Sequence, residues 1–159
     1  MDVRWAQVAE AAEIARLLHD FNTEFDTPSP GVAALTARLA ELLPEGRTTA
    51  LLAGDPAVAV ALLTSRPNVW YDGPVLLLDE LYVAPDHRGR GIGSAIIDRL
   101  LTDARADGVA LVEINVDEGD VDAQRFYERH GFRSGDMSPD ERAFYYSREL
   151  RPALGSDPA

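Results

Sequence analysis

Asp86-His87-Arg88-Gly89-Arg90-Gly91-Ile92-Gly93-Ser94 is the stretch on which this chain turns. An apolar run, Val75-Leu76-Leu77-Leu78-Asp79-Glu80-Leu81-Tyr82-Val83, precedes it and is closed by Ala84-Pro85; the run predicts a central strand. After it, Ile92, Ile96, Ile97, Leu100 and Leu101 recur on one helical face. Three glycines at alternate positions, flanked by two arginines, thus lie between a strand and a helix. Glycine allows unusual backbone dihedrals and close approach of a ligand to the main chain. The first turn of a helix offers unpaired N–H groups and a partial positive charge. The natural occupant is a phosphate or pyrophosphate.

Competing readings of the glycines fit less well. The dinucleotide fingerprint needs two residues before its last glycine, and here only Ile92 intervenes. The P-loop needs a lysine, and the chain contains none. A glycine turn without a ligand is the plain alternative, but flanking arginines are a poor choice for a merely structural turn.

Arg88-Gly89-Arg90-Gly91-Ile92-Gly93 after Leu81-Tyr82-Val83-Ala84-Pro85 resembles the acetyl-CoA signature of the GNAT (Gcn5-related) N-acetyltransferases. In that signature, arginine or glutamine is followed three residues later by glycine, and two after that by glycine or alanine. Downstream, Ala123-Gln124-Arg125-Phe126-Tyr127-Glu128-Arg129-His130-Gly131-Phe132 resembles the family's second segment. Together the two matches extend the resemblance over the chain to Arg151. It implies an α/β (α+β) fold: a mixed, strongly twisted sheet of roughly seven strands with helices on both faces. Alternation of strands and helices alone specifies only α/β or α+β.

The 159 residues suit one domain with a substantial core, expected over 1–151, with 152–159 as a flexible tail. No cysteine is present, so thiol nucleophiles, disulfides and thiolate metal sites are excluded. The apolar runs are far short of a membrane span, and the Met1-Asp2-Val3-Arg4-Trp5 start does not read as a secretion signal. A cytoplasmic protein is expected. With 27 acidic against 15 basic residues the net charge is −12, which disfavours nucleic acid and suits a cationic substrate or simple solubility.

In chain order, Val3–Gln7 reads as an opening strand, 8–25 and 32–43 as helices, and 48–53 and 58–65 as strands joined by Gly54-Asp55-Pro56. Trp70 and Tyr71 fall in a loop, where they line a pocket or cover a core edge. Gly108 suits a helix C-cap, 109–116 a strand, and Asp120 an N-cap for a helix over 121–130. Two last strands are expected at 132–136 and 142–150. Of these, Ala143 to Glu149 is a candidate edge for a homodimer.

Acetyl transfer to an amine makes four demands. The amides of Gly89 to Ser94, including Ile92 and Gly93, can grip a diphosphate, with Arg88 and Arg90 adding charge-assisted bonds. By resemblance, Leu81, Tyr82 and Val83 present main-chain groups to the pantetheine arm, and the Val83 N–H is the candidate oxyanion donor. By resemblance again, Tyr127 is the general acid for the leaving thiolate, since a phenol, with a pKa of about 10, is protonated at neutral pH. Alone it would read as a packing tyrosine, and its neighbour Phe126 reads as core. The base comes from Asp79 and Glu80, adjacent carboxylates in an apolar strand. On a regular strand they face opposite ways. Residue type favours Glu80, parity with Leu81 and Val83 favours Asp79, and a β-bulge would reverse the parity.

One departure stands out: where the family often carries a cofactor-contacting asparagine, this chain has Asp120. His19, His87 and His130 show no metal-ligand spacing; no metal is expected, and His87 reads as surface. Ser94 supports the helix start. The expectation is acetyl-CoA-dependent acetylation of a primary amine on a small molecule by direct attack. A CoA-binding regulatory or structural protein without turnover is the alternative from another class. Within the enzyme class, aminoglycosides, polyamines and peptide amines are all open as acceptors.

Overall fold

The computed structural model describes residues 1–134 and 146–155. Met1–Asn115 forms one compact unit, and a second begins at Val116. The first holds β1 (Val3–Trp5), α1 (Ala11–Glu24), α2 (Val32–Leu42), β2 (Thr48–Gly54), β3 (Ala57–Arg66), β4 (Val75–Val83), α3 (Ile92–Ala106) and β5 (Leu111–Ile114). The second holds α4 (Val121–Arg129).

The five strands lie in the order β1-β2-β3-β4-β5. Every neighbouring pair is antiparallel except β4 and β5, which are parallel. A parallel pair needs a long crossover, and α3 supplies it. Strand alternation splits the buried residues between two faces. Ala50, Leu52, Val60 and Tyr82 pack with Ile14, Leu17, Leu18 and Leu39 of α1 and α2. Leu51, Ala61 and Leu63 alternate to the other face, where α3 packs against β1 to β4 and buries Ile92, Ile96, Ile97 and Leu100. Trp5 Nε1 donates to Asp103 at 2.6 Å, and an Arg99 Nη donates to the Val3 carbonyl at 3.0 Å, tying α3 to β1.

The expected helix from Val8 opens as a 3-10 turn, Val8–Glu10, because the Glu10 carboxylate accepts from the Gln7 N–H at 2.7 Å and fixes the start. Among the described residues the sheet has five strands rather than about seven. Residues 132–134 and 146–149 carry no strand, and the rest of the two expected strands, with the turn at 137–141, falls outside the described residues. No described helix is long and apolar enough to cross a membrane.

Between β3 and β4 the register shifts: Leu62 faces Glu80, while Leu63 faces Leu78. Asp79 is the extra residue of a β-bulge, and the alternation of side chains breaks there.

Leu100 is fully buried between α3 and the sheet. Leu100→Ala is expected to cost about 2–5 kcal/mol, read as a lower urea midpoint at unchanged slope.

Candidate functional site

The parallel pairing of β4 with β5 runs from Val75↔Leu111 to Leu78↔Ile114 and stops. From Asp79 to Val83 that edge of β4 has no strand beside it among the described residues. The Ala84 N–H bonds Val58 of β3 at 2.9 Å. Since successive residues point their N–H groups to opposite edges, Val83 and Leu81 turn theirs to the open edge, and Tyr82 turns its N–H to β3. Of the three residues expected to meet a pantetheine arm, Leu81 and Val83 have main-chain donors on the exposed side.

The chain then makes a 3-10 turn, Pro85–His87, and enters α3. Gly89 (φ 71°) and Gly91 (φ 78°) both take left-handed conformations, which side-chain-bearing residues adopt only at a cost. A Cβ at either would meet nothing within 4 Å, so the space above the loop is open. Among the described residues, the N–H groups from Gly89 to Ser94 have no acceptor; the first main-chain bond of the helix is Ala95 N–H to Gly91 O at 2.9 Å. The result is a row of donors at a helix start, suited to an anion.

Arg88 is committed elsewhere. Its two Nη atoms form a fork with the Glu24 carboxylate of α1, each at 2.7 Å, and its Nε donates to the Val83 carbonyl at 2.8 Å. The guanidinium also lies 5.6 Å from the Tyr82 ring centroid. Its hydrogen bonds to Glu24 hold the Glu24 carboxyl below its usual range. Tyr82 is buried, stacks on Phe21 at 5.3 Å and hydrogen-bonds Glu24. Burial first, and then that bond, pushes its phenol up. Arg90, by contrast, is exposed and has no ion pair among the described residues.

The bulge reshapes the acidic pair. Thr64 and Leu62 alternate to one face of β3 and sit opposite Leu77 and Glu80 respectively. Thr64 Oγ1 donates to Asp79 Oδ2 at 2.6 Å, so Asp79 also turns to that face. Two carboxylates that a regular strand would separate are brought together. Glu80 is half-buried and Asp79 exposed. Burial first, and then the charge of Asp79, pushes the Glu80 carboxyl above its ordinary value.

In the second unit, Tyr127 is buried on α4, its ring 5.1 Å from Phe126 and 5.6 Å from Phe132. Phe126, expected in the core, is only half-buried. Asp120 caps α4 as expected, accepting from the Ala123 N–H at 2.9 Å. His87 is half-buried rather than at the surface, with its Nδ1 enclosed and unpaired. Trp70 is exposed, so of the two loop aromatics only Tyr71 lines a concavity, of about 450 Å³, with Arg47, Ser65 and Arg66. Sequence reasoning missed Glu24 and Thr64, because neither lies near a motif. Among the described residues no group of acids and histidines could hold a metal ion.

The family model described as Acetyltransferase (GNAT) family matches residues 11–132. A crystal structure from Arthrobacter sp. FB24, provisionally assigned as an acetyltransferase, is 49% identical with a TM-score of 0.87; the match covers 94% of this chain and 96% of that one. An uncharacterized N-acetyltransferase of Methanocaldococcus jannaschii is 38% identical over 60 residues, which is 38% of this chain and 26% of that protein. This chain therefore spans about a quarter of that relative's length. A GCN5-like protein acetyltransferase of Mycobacterium tuberculosis is 31% identical over 144 residues, covering 71% of this chain and 70% of that one.

The upward shift at Glu80 has a consequence for stability. Between the ordinary value of 4.5 and the raised one, the folded protein binds more protons than the unfolded chain, so stability is full below 4.5 and falls as pH rises through that window. Glu80→Gln removes this term. Its urea midpoint is expected to exceed the parental one at neutral pH, with the difference shrinking to nothing as pH drops below 4.5.

Proposed function

This chain belongs to the acetyltransferase (GNAT) family, and on that footing we propose that it moves the acetyl group of acetyl-CoA to a primary amine of a small molecule. The observation that carries this reading is two sets of main-chain donors without an acceptor among the described residues, at Leu81 and Val83 on the open edge of β4 and from Gly89 to Ser94 at the first turn of α3. The family uses acetyl-CoA, and these residues fit it: an extended amide-bearing arm pairs with a free strand edge, and a diphosphate sits on N–H groups at a helix start.

In this proposal the amides of Gly89, Gly91, Ile92, Gly93 and Ser94 hold the diphosphate, and Arg90 adds a charge-assisted bond. Arg88 shapes the loop instead, tying it to Glu24 and to the Val83 carbonyl. Glu80 is the base, favoured over Asp79 by its burial and its raised proton affinity. It takes a proton from the ammonium and frees the nitrogen lone pair for attack on the thioester carbon. The carbon–nitrogen bond forms, and negative charge gathers on the carbonyl oxygen, where an open-edge N–H such as that of Val83 meets it. The carbon–sulfur bond then breaks. Tyr127, at the family's acid position, protonates the thiolate, and the amide nitrogen releases its extra proton. Overall, ammonium and thioester become amide, thiol and one proton. With no cysteine in the chain and no other evident acyl carrier, the attack is direct. The acceptor is a cationic small molecule, in keeping with the net charge of −12, and we place the enzyme in the cytoplasm.

Thiol release from acetyl-CoA across polyamines, aminoglycosides, amino acids and peptides tests this. One amine class is expected to give release; CoA binding without release from any amine would instead fit a regulatory protein. Tyr127→Phe is expected to lower kcat by about 10²–10⁴-fold with CoA affinity unchanged. Arg90→Ala is expected to weaken CoA by about tenfold, the worth of roughly 1.4 kcal/mol, in titration calorimetry at fixed salt.

A further inference from the structure

We infer that Thr64 and Asp79 act as a pair of positioning residues: the Thr64 hydroxyl pins the Asp79 carboxylate beside Glu80, and that fixed negative charge readies Glu80 to take the proton of the incoming ammonium. The inference rests on the reading of Glu80 as the base. It divides the roles of two carboxylates that sequence alone leaves interchangeable.

The geometry makes the division. Glu80 faces Leu62 in the β3–β4 register, and Asp79 is the residue left over at the bulge. Without the bulge, Asp79 would point to the face opposite Glu80, and its charge would be of little use there. With it, the carboxylate reaches Thr64 Oγ1 at 2.6 Å, a distance typical of a hydroxyl held by a charged acceptor. Threonine is β-branched and restricted at χ1, so its hydroxyl has few orientations from which to hold Asp79. Asp79 lies toward solvent and Glu80 is the more enclosed of the two, which suits the first as a standing charge and the second as the group that changes charge.

Among the described residues, the neighbouring charges are otherwise paired. On β3, Arg66 is paired with Glu113 of β5. On α1, Arg16 is paired with Asp20, and Glu24 is held in the Arg88 fork. Beside burial, the charge among the described residues that raises the Glu80 carboxyl is that of Asp79. When Glu80 accepts a proton from R–NH3⁺, the pair falls from two negative charges to one and the repulsion between them is relieved. The neutral amine left behind carries the lone pair that attacks.

Two measurements on Thr64→Val, Thr64→Ser, Asp79→Asn and the parental protein test this. Carboxyl-carbon NMR titrates Glu80 in the free protein, and kcat/KM for thiol release is followed across pH. In Thr64→Val and Asp79→Asn, the Glu80 midpoint and the acid limb of the rate profile are expected to move together to lower pH. Thr64→Ser, which keeps the hydroxyl, is expected to stay at the parental position. Midpoints in Thr64→Val and Asp79→Asn that coincide with the parental one overturn the inference, even in a fully active enzyme. The NMR titration needs no turnover, so a protein inactive on every amine would count against the acetyltransferase reading and leave a shifted midpoint standing as evidence of the coupling.

Discussion

A strand buried in a sheet must satisfy the N–H and C=O groups on both its edges. β4 does so on the β3 side from Val75 to Val83 with Asp79 left over at the bulge, but on the other side, among the described residues, only as far as Leu78. The unpaired edge beyond Leu78 is the feature on which the rest of the site depends. An open edge invites a strand-like partner, and here it leads toward a glycine loop whose amides from Gly89 to Ser94 also lack acceptors among the described residues. Two sets of main-chain donors result, one at Leu81 and Val83 and one from Gly89 to Ser94, separated by the bonded turn at Ala84 to Arg88. Both sets are main-chain groups, so neither depends on the identity of a side chain.

The side chains around these donors hold the loop in shape. Arg88 sits where the family signature puts arginine or glutamine, and it meets Glu24, Val83 O and the Tyr82 ring. A bidentate guanidinium–carboxylate fork is geometrically exacting, so it holds the end of α1 against the loop that precedes α3. The loop cation without an ion pair among the described residues is Arg90. At the bulge, burial and like charge act in the same direction on Glu80. Keeping a carboxylate there costs stability at neutral pH.

Much of the fold was legible. The apolar period of Ile92 to Leu101 and the β4 run from Val75 to Val83 each emerge as the expected element, because burial on one face imposes a period that composition cannot hide. Gly108 and Asp120 cap their helices as their residue types suggest. Less was legible where the determinant lies far off in sequence. Glu24 lies 64 positions from the Arg88 it holds, and Thr64 lies 15 from Asp79; nothing local to either residue announces the partner.

Residue types and their spacing along the chain determined the glycine loop between strand and helix, the family it belongs to, and the two carboxylates in an apolar strand. These follow from local chemistry: backbone freedom at glycine, periodic burial, and the unusual presence of charge among leucines. Tertiary structure alone decided which groups face which way. Whether Asp79 and Glu80 share a face depends on one extra residue in the β3–β4 register. Whether Leu81 and Val83 are free to bind depends on where β5 ends its pairing. Register and edge exposure are set by how separate strands align, and that information is distributed over contacts that no single segment contains.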